Sequence, residues 1–333
     1  MTSALPDDGA LLEHADRSIA VGSKSFAAAS RLFDAPTRRG AVMLYAWCRH
    51  CDDVIDGQQA GHDAVVVSRE EAERRLAQLQ QQTRAIYLGE PPTDPAFAAI
   101  AQVVRAHAIP QSDALAHLAG FEMDVLETRY HTLDDTLRYC YHVAGVVGLM
   151  MSRVMGATDE HVLDRACDLG LAFQLTNIAR DIVEDAAVGR CYLPQQWLDE
   201  VGIPRERLAD TQYRGGVAVL ARRLVHLAEP YYASAQAGLA ALPWRSAWAV
   251  ATAGEVYRQI GVKVDAAGEH AWDKRVSTSK PEKLTAVAVG LWRALTRRAR
   301  HWPARDPRLW QRPSPACPAA PRATPVTEPA GGQ

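Results

Sequence analysis

The chain has 333 residues, 48% hydrophobic and 23% charged, enough to bury a core as one large domain or two small ones. A net charge of −2 leaves no basic surplus for nucleic acid, and the acidic first 18 residues lack both the basic start and the apolar run of a signal peptide. No apolar run approaches the ~20 residues of a membrane span, and six cysteines scattered through helical patterns fit a reducing compartment, so a soluble cytoplasmic protein is expected.

Leu11, Leu12, Ala15, Ile19 and Ala20 recur at helical spacing over residues 10–21, and Gly22 ends the pattern. The loop that follows, with Gly22, Ser23, Lys24 and Ser25, offers hydroxyls, an ammonium and backbone N–H groups to an anion, although a helix cap is the plainer account of it alone. Phe26 starts a new apolar stripe. Pro36 and Thr37 mark a helix entry, and the helix runs through Met43 and Trp47 to Asp56, where Gly57 stops it. On that helix Tyr45, Arg49, Asp52 and Asp56 fall within roughly 60° of one another. Cys48 and Cys51 form a C-x-x-C with no second pair and no βαβ pattern around it, and read as two small helix residues.

Residues 57–67 read as a loop and 70–87 as a charged amphipathic helix. After turn chemistry over 89–95, with Asp94 and Pro95 as N-cap and first helical residue, helices are predicted over 95–107 and 112–128. His107 and His117 stand alone on apolar patterns and read as structural. Residues 134–155 predict a long buried helix whose Gly145 and Gly148 let a neighbouring helix or a ligand chain come close, one wall of a deep apolar pocket.

Residues 173–185 read FQLTNIARDIVED and carry Gln174, Asn177, Asp181, Glu184 and Asp185 at steps of three and four. Asn177, Asp181 and Asp185 lie within roughly 80° on one face, while Leu175, Ile178, Ile182 and Val183 show that the helix also packs. Residues 189–194 turn the chain and bring Arg190 and Tyr192 near that helix's end. Helices resume over 217–241, 243–264 and 285–300, with Tyr257, Lys274 and Arg275 as further phosphate candidates, though a charged loop explains the last two nearly as well. Eight prolines in the 31 residues from Pro303 set a Pro/Ala-rich tail, 303–333, expected to be disordered, apart from a helical domain, 1–302. No run alternates convincingly as a strand. The expected architecture is all-α, a single-domain bundle around a central apolar cavity. The absence of a P-loop, a G-x-G-x-x-G and an E-x-x-H argues against NTPases, Rossmann oxidoreductases and di-iron oxidases.

One D-x-x-x-D on a helix is ordinarily a solvated face. Two copies, each flanked by arginine and one extended by Asn177, predict facing walls of one cavity whose acids share a cation. All-oxygen donors suit Mg²⁺, or Mn²⁺, and Arg49 and Arg180 stand ready to grip phosphate, which together describe a diphosphate site. A metal on an allylic diphosphate makes a good leaving group. The carbocation left behind needs a dry pocket and is steadied by aromatic rings.

In order and spacing GSKSF, YAWCRHCDDVID, YCYHVAGVVG, FQLTNIARDIVED and GRCYLP resemble the head-to-head isoprenyl diphosphate synthases, the squalene/phytoene synthase family, over about residues 10–300, and most closely its bacterial phytoene-forming branch. The resemblance implies an isoprenoid synthase fold with two facing Asp-rich helices and two ionisations that join two geranylgeranyl diphosphates through a cyclopropyl diphosphate, prephytoene diphosphate, to phytoene for carotenoid synthesis. Carried over by position, it implies metal ligands at Asp52, Asp56, Asn177 and Asp181, with Asp185 completing the second motif. It implies substrate contacts at Gly22, Ser23, Lys24, Ser25, Tyr45, Arg49, Gln174, Arg180 and Tyr257. Tyr139, Arg190, Tyr192 and Arg275 match positions near the second step, so the groups expected to act in catalysis are Tyr45, Arg49, Tyr139, Arg180, Arg190, Tyr192 and Arg275. Gly22 departs from the histidine of some relatives, which leaves it backbone contacts only.

Squalene or dehydrosqualene synthesis from farnesyl diphosphate uses the same motifs. Squalene synthase also takes NADPH and often carries a C-terminal anchor, whereas the Pro-rich polar C-terminus here favours phytoene and no NADPH. A non-catalytic scaffold with solvated acidic faces is the reading from another class. Leu284, Ala288, Leu291 and Leu295 share one face of the last helix and Arg293, Arg297 and Arg300 another. Core docking accounts for that stripe, and lipid substrates add an expectation of peripheral membrane contact and of other carotenoid enzymes as partners.

Overall fold

The computed structural model describes residues 8–22, 24–57, 68–297 and 304–313. Among them the regular elements are helices throughout, with no strand. Helix α1 (Asp8–Gly22) is followed by a short α2 (Lys24–Ser30), so residues 24 and 25 are helical where a loop is predicted. Ser23 and the side chains of Lys24 and Ser25 lie outside the described residues.

Helix α3 (Ala35–Asp56) begins where Pro36 predicts: the Asp34 side chain accepts from the Thr37 N–H at 2.9 Å. It ends at Gly57, whose φ of 62° is the left-handed cap that glycine adopts without strain. Helices α4 (Arg69–Tyr87), α5 (Pro95–Ala106) and α6 (Gln111–Val125) follow, α5 capped by Asp94 as its sequence requires. Together α3 to α6 enclose a core around Leu44, Trp47, Phe97, Ile100 and Leu118. His117 belongs to that core, its ring 5.5 Å from Trp47 and 5.1 Å from Phe121.

The long helix predicted over 134–155 is interrupted. Helix α7 (Leu133–Cys140) passes through a π-helical turn, Tyr141–Gly145, into α8 (Val146–Val154). Beside the turn the small residues meet α9 (Glu160–Ala187): a Cβ on Gly148 would stand 2.3 Å from the Ala166 carbonyl oxygen, and one on Gly170 2.3 Å from that of Ala144. Glycine at these points lets two backbones touch.

Helix α9 is central, packing on α8, on α11 (Arg214–Gly238) and on α12 (Trp244–Ala267). A short α10 (Gln195–Val201), which no periodicity announced, caps the turn after α9. A second core, around Leu163, Leu171, Leu175, Leu220 and Leu224, fills the space between α7, α9 and α11.

Two sequence expectations are corrected at the end of the chain. Helix α13 (Lys280–Thr296) docks on α12 through Ala286, Gly290 and Ala294, not through its leucine stripe. The small side admits the closer approach: a Cβ on Gly290 would fall 2.8 Å from the Thr252 backbone nitrogen. Leu284, Ala288 and Leu295 of the leucine face are left exposed, and Leu291 is half-buried. Residues 304–313 fold onto α9 although composition assigns them to the tail. Arg305 makes a bidentate pair with Asp168, whose side chain has no solvent exposure, and Trp310 donates to Asp134 at 2.8 Å. Proline prevents helix here, but Arg305, Leu309, Trp310 and Arg312 find partners nonetheless. The rest of the predicted tail, 314–333, lies outside the described residues.

Candidate active site

An apolar cavity of about 350 Å³ lies among α2, α3, α8, α9 and α12. Tyr45 and Cys48 of α3, Phe173, Gln174 and Asn177 of α9, and Tyr257 of α12 line it together with Phe26, Val147 and Met151. Aromatic pairs stand in this wall: Phe26 stacks on Tyr45 at 5.4 Å and Phe173 on Tyr257 at 4.2 Å. Gly22 comes to the same place, since a Cβ there would sit 2.4 Å from the Tyr45 hydroxyl.

The acids lie further along the two helices that carry these residues. On α3, Arg49 meets Asp52 at 2.9 Å and Asp53 at 3.1 Å. On α9, Arg180 makes a bidentate contact with Asp181 at 2.7 and 2.5 Å, and Asn177 donates to Gln174 at 3.4 Å. Arg275 arrives from the loop before α13 to reach Glu184 at 2.5 Å and Asp181 at 3.0 Å. Arg190 spans the two helices, with Nη2 2.5 Å from Oδ1 of Asp56. Lys274, beside Arg275 on the same loop, is exposed and makes no side-chain ion pair among the described residues.

Burial, opposed by Arg49 and aided by Asp56 and Asp53, pushes the Asp52 carboxyl up to about 6. Burial and then Asp181 push Asp185 up to about 7. Burial likewise raises the Tyr45 hydroxyl to about 12, so it is a neutral donor. Burial works against the Arg190 cation, and the hydrogen bond to Asp56 outweighs it.

No three Asp, Glu, His or Cys residues converge into a ready-made cage among the described residues. The donors are nonetheless all oxygen, and the burial, with the neighbouring acids adding to it, that lifts Asp52 and Asp185 is a cost a divalent cation would offset. Such a set fits Mg²⁺, which takes few carboxylates and completes its shell with water and phosphate oxygens.

Tyr139 and Tyr192 are brought together with each other, not to the cavity. Their rings stack at 4.5 Å, and both hydroxyls donate to Asp124 of α6, at 3.2 and 3.1 Å. Sequence reading missed Asp124. It is one of three acids on α6, with Asp113 and Glu122, and forms no i, i+4 pair with either, and its partners lie 15 and 68 residues away along the chain. Phe173 was missed as well, although its place beside Gln174 on the acidic helix was a usable signal.

The family profile described as squalene/phytoene synthase matches residues 19–282. The chain is 60% identical over 303 residues to a 15-cis-phytoene synthase of Pantoea ananas, covering 91% of this chain and 98% of that protein. It is 63% identical over 297 residues to a 15-cis-phytoene synthase of Enterobacter agglomerans, covering 88% and 99%. Among solved structures, a dehydrosqualene synthase in complex with ligand superposes with a TM-score of 0.76 at 26% identity, covering 85% of this chain and 95% of that one.

Proposed function

The chain belongs to the squalene/phytoene synthase family, and on that premise we propose that it is a 15-cis-phytoene synthase joining two geranylgeranyl diphosphates head to head. The observation that carries the reading is the apolar cavity lined by α3 and α9, the two helices that bear paired acids and arginines. A scaffold has no use for a cavity flanked in this way. The high identity to phytoene synthases over nearly the whole chain favours the longer substrate over farnesyl diphosphate.

The reaction balances without a reductant. Loss of diphosphate from one substrate gives an allylic cation, which the double bond of the second captures, and loss of a proton closes the cyclopropane of prephytoene diphosphate. Loss of the second diphosphate, rearrangement and loss of a second proton give phytoene. NADPH therefore has no part in it.

In this reading Asp52, Asp56, Asn177, Asp181 and Asp185 hold Mg²⁺, or Mn²⁺ in its place. The bound metal draws electron density from the diphosphate oxygens and makes diphosphate a better leaving group. Arg49, Arg180, Arg190 and Arg275 exchange a carboxylate oxygen for a diphosphate oxygen as substrate enters. Gly22, Ser23, Lys24 and Ser25 lend backbone and hydroxyl contacts, and Tyr45, Gln174 and Tyr257 orient the substrate at the cavity wall. The rings of Phe26, Tyr45, Phe173 and Tyr257 face a cation with their π electrons, and the apolar wall keeps water from quenching it. Tyr139 and Tyr192 act from behind, through the turn that carries Arg190.

Incubating the purified protein with Mg²⁺ and either geranylgeranyl or farnesyl diphosphate, with and without NADPH, tests this directly. Phytoene from the longer substrate without NADPH is expected. Squalene or dehydrosqualene from the shorter one would replace the substrate assignment, and no hydrocarbon from either would return the scaffold reading.

No helix among the described residues is long and apolar enough to cross a membrane. The proposed setting is cytoplasmic with peripheral lipid contact through α13, whose Leu284, Trp292 and Leu295 are 71%, 68% and 64% exposed. Val287 and Lys283 of the same helix line the cavity, and Lys280 and Lys283 give its first turn a basic edge suited to anionic lipid. The hydrocarbon product passes from there to the next enzymes of carotenoid synthesis.

A further inference from the structure

Asp124 and the tyrosine pair form a unit beneath Arg190. Each carboxylate oxygen takes one hydroxyl, Tyr192 at 3.1 Å and Tyr139 at 3.2 Å, and Tyr130 sets its ring edge against Tyr139 at 5.5 Å. Tyr139 and Tyr192 are 4% and 8% exposed. Three separate segments, α6, α7 and the turn after α9, therefore meet at one side chain. Each carboxylate oxygen is an acceptor for one buried hydroxyl, so this one side chain satisfies both donors at once, and its loss would strand them.

Tyr192 stands two residues beyond Arg190, and it is held twice. Its hydroxyl is tied to Asp124, and its carbonyl accepts from Thr136 Oγ1 at 2.9 Å. On the other side, the Arg190 N–H donates to the Asp185 carbonyl at 2.9 Å. The arginine itself reaches across to Asp56 at 2.5 Å. An arginine on a turn has many rotamers, and this one is aimed because the backbone on both sides of it is fixed.

We propose that Asp124 is a positioning residue that, by holding the hydroxyls of Tyr192 and Tyr139, fixes the turn after α9 and so directs the Arg190 guanidinium into the acidic site. The proposal rests on the reading of Arg190 as a diphosphate-gripping group. Asp124 touches no reacting atom. Its effect passes through the turn, so it must vanish when Arg190 is gone.

The test is a double-mutant cycle on the full chain, read as affinity for inorganic diphosphate in the presence of Mg²⁺ by titration calorimetry. Arg190→Ala is expected to weaken binding about 10- to 100-fold, the scale of a lost charge-assisted hydrogen bond, and Asp124→Ala about tenfold. The double variant is expected to bind as Arg190→Ala alone does, within about twofold. Asp124→Asn, which can accept from one hydroxyl and donate to the other, recovers most of the loss. Tyr192→Phe removes a single hydroxyl and carries the same cycle if Asp124→Ala does not fold. Losses that multiply in the double variant, or unchanged affinity in both Asp124→Ala and Tyr192→Phe, would overturn the proposal. Diphosphate that fails to bind the wild type overturns it together with the site reading. Hydrocarbon formation by the wild type, measured separately, tests the proposed function without bearing on the cycle.

Discussion

Asp52 and Asp181 sit on different helices, Asp52 against Arg49 and Asp181 against Arg180 and Arg275. Asp52→Ala and Asp181→Ala are each expected to lower kcat for phytoene by about 10² to 10³ fold, the scale for deleting one group that stabilises developing charge. Thermal melting within a few degrees of wild type would separate that loss from unfolding. His117 offers a second test at this scale, remote from the cavity. Its burial lowers its pKa to about 4 from the ordinary 6.5, while its Nδ1 faces the His142 carbonyl at 3.3 Å. Between those values the unfolded chain binds a proton that the folded one does not, so stability is complete above about pH 6.5 and falls as pH drops through 4. The contribution is of order 3 kcal/mol. His117→Gln should flatten the difference between denaturation midpoints at pH 6.5 and 4.5, and an unchanged pH slope would refute the assignment. The motif residues could be read directly because i and i+4 positions share a helix face. Asp124 could not, because a hydroxyl 68 residues away leaves no mark on the local pattern.

Helices began and ended largely where their caps said. Asp34 with Pro36, and Asp94 with Pro95, oblige the backbone to start a helix, and Gly57 alone permits the left-handed exit. Periodicity could not announce the π turn at Tyr141–Gly145, because the turn itself touches α9 at Gly170 and α8 touches α9 at Gly148, contacts that no local pattern encodes. Residues 304–313 are the sharper case. Arg305 donates to both oxygens of Asp168, which also accepts from Ser234 Oγ at 2.6 Å, and Arg312 pairs with Asp164 and Glu160. Arg305→Ala leaves a carboxylate with no solvent access, one hydroxyl donor and the more distant Arg165 cation, and is expected to cost about 3 kcal/mol. Urea titration measures it, and a loss below about 1 kcal/mol, the range of a surface pair, would show that the strap adds little.

At the scale of the whole molecule, the exposed face of α13 and the cavity belong to one helix, so contact with lipid would bring a hydrophobic exit next to the product. Flotation with anionic vesicles should carry the wild type upward. Trp292→Glu with Leu295→Glu should stay at the bottom while turnover in detergent is kept, and equal flotation of both would remove α13 as the contact. The all-α class, the two acidic helices and the diphosphate chemistry were legible in the chain alone, because cap residues, helical spacing and carboxylate pairs act over four residues or fewer. Tertiary packing decided the rest. It set which face of α13 docks, where Gly145, Gly148 and Gly170 bring backbones together, that Tyr139 and Tyr192 close on Asp124, and that a proline-rich segment straps α9. Each depends on a partner far away in the chain, whose distance no local pattern encodes.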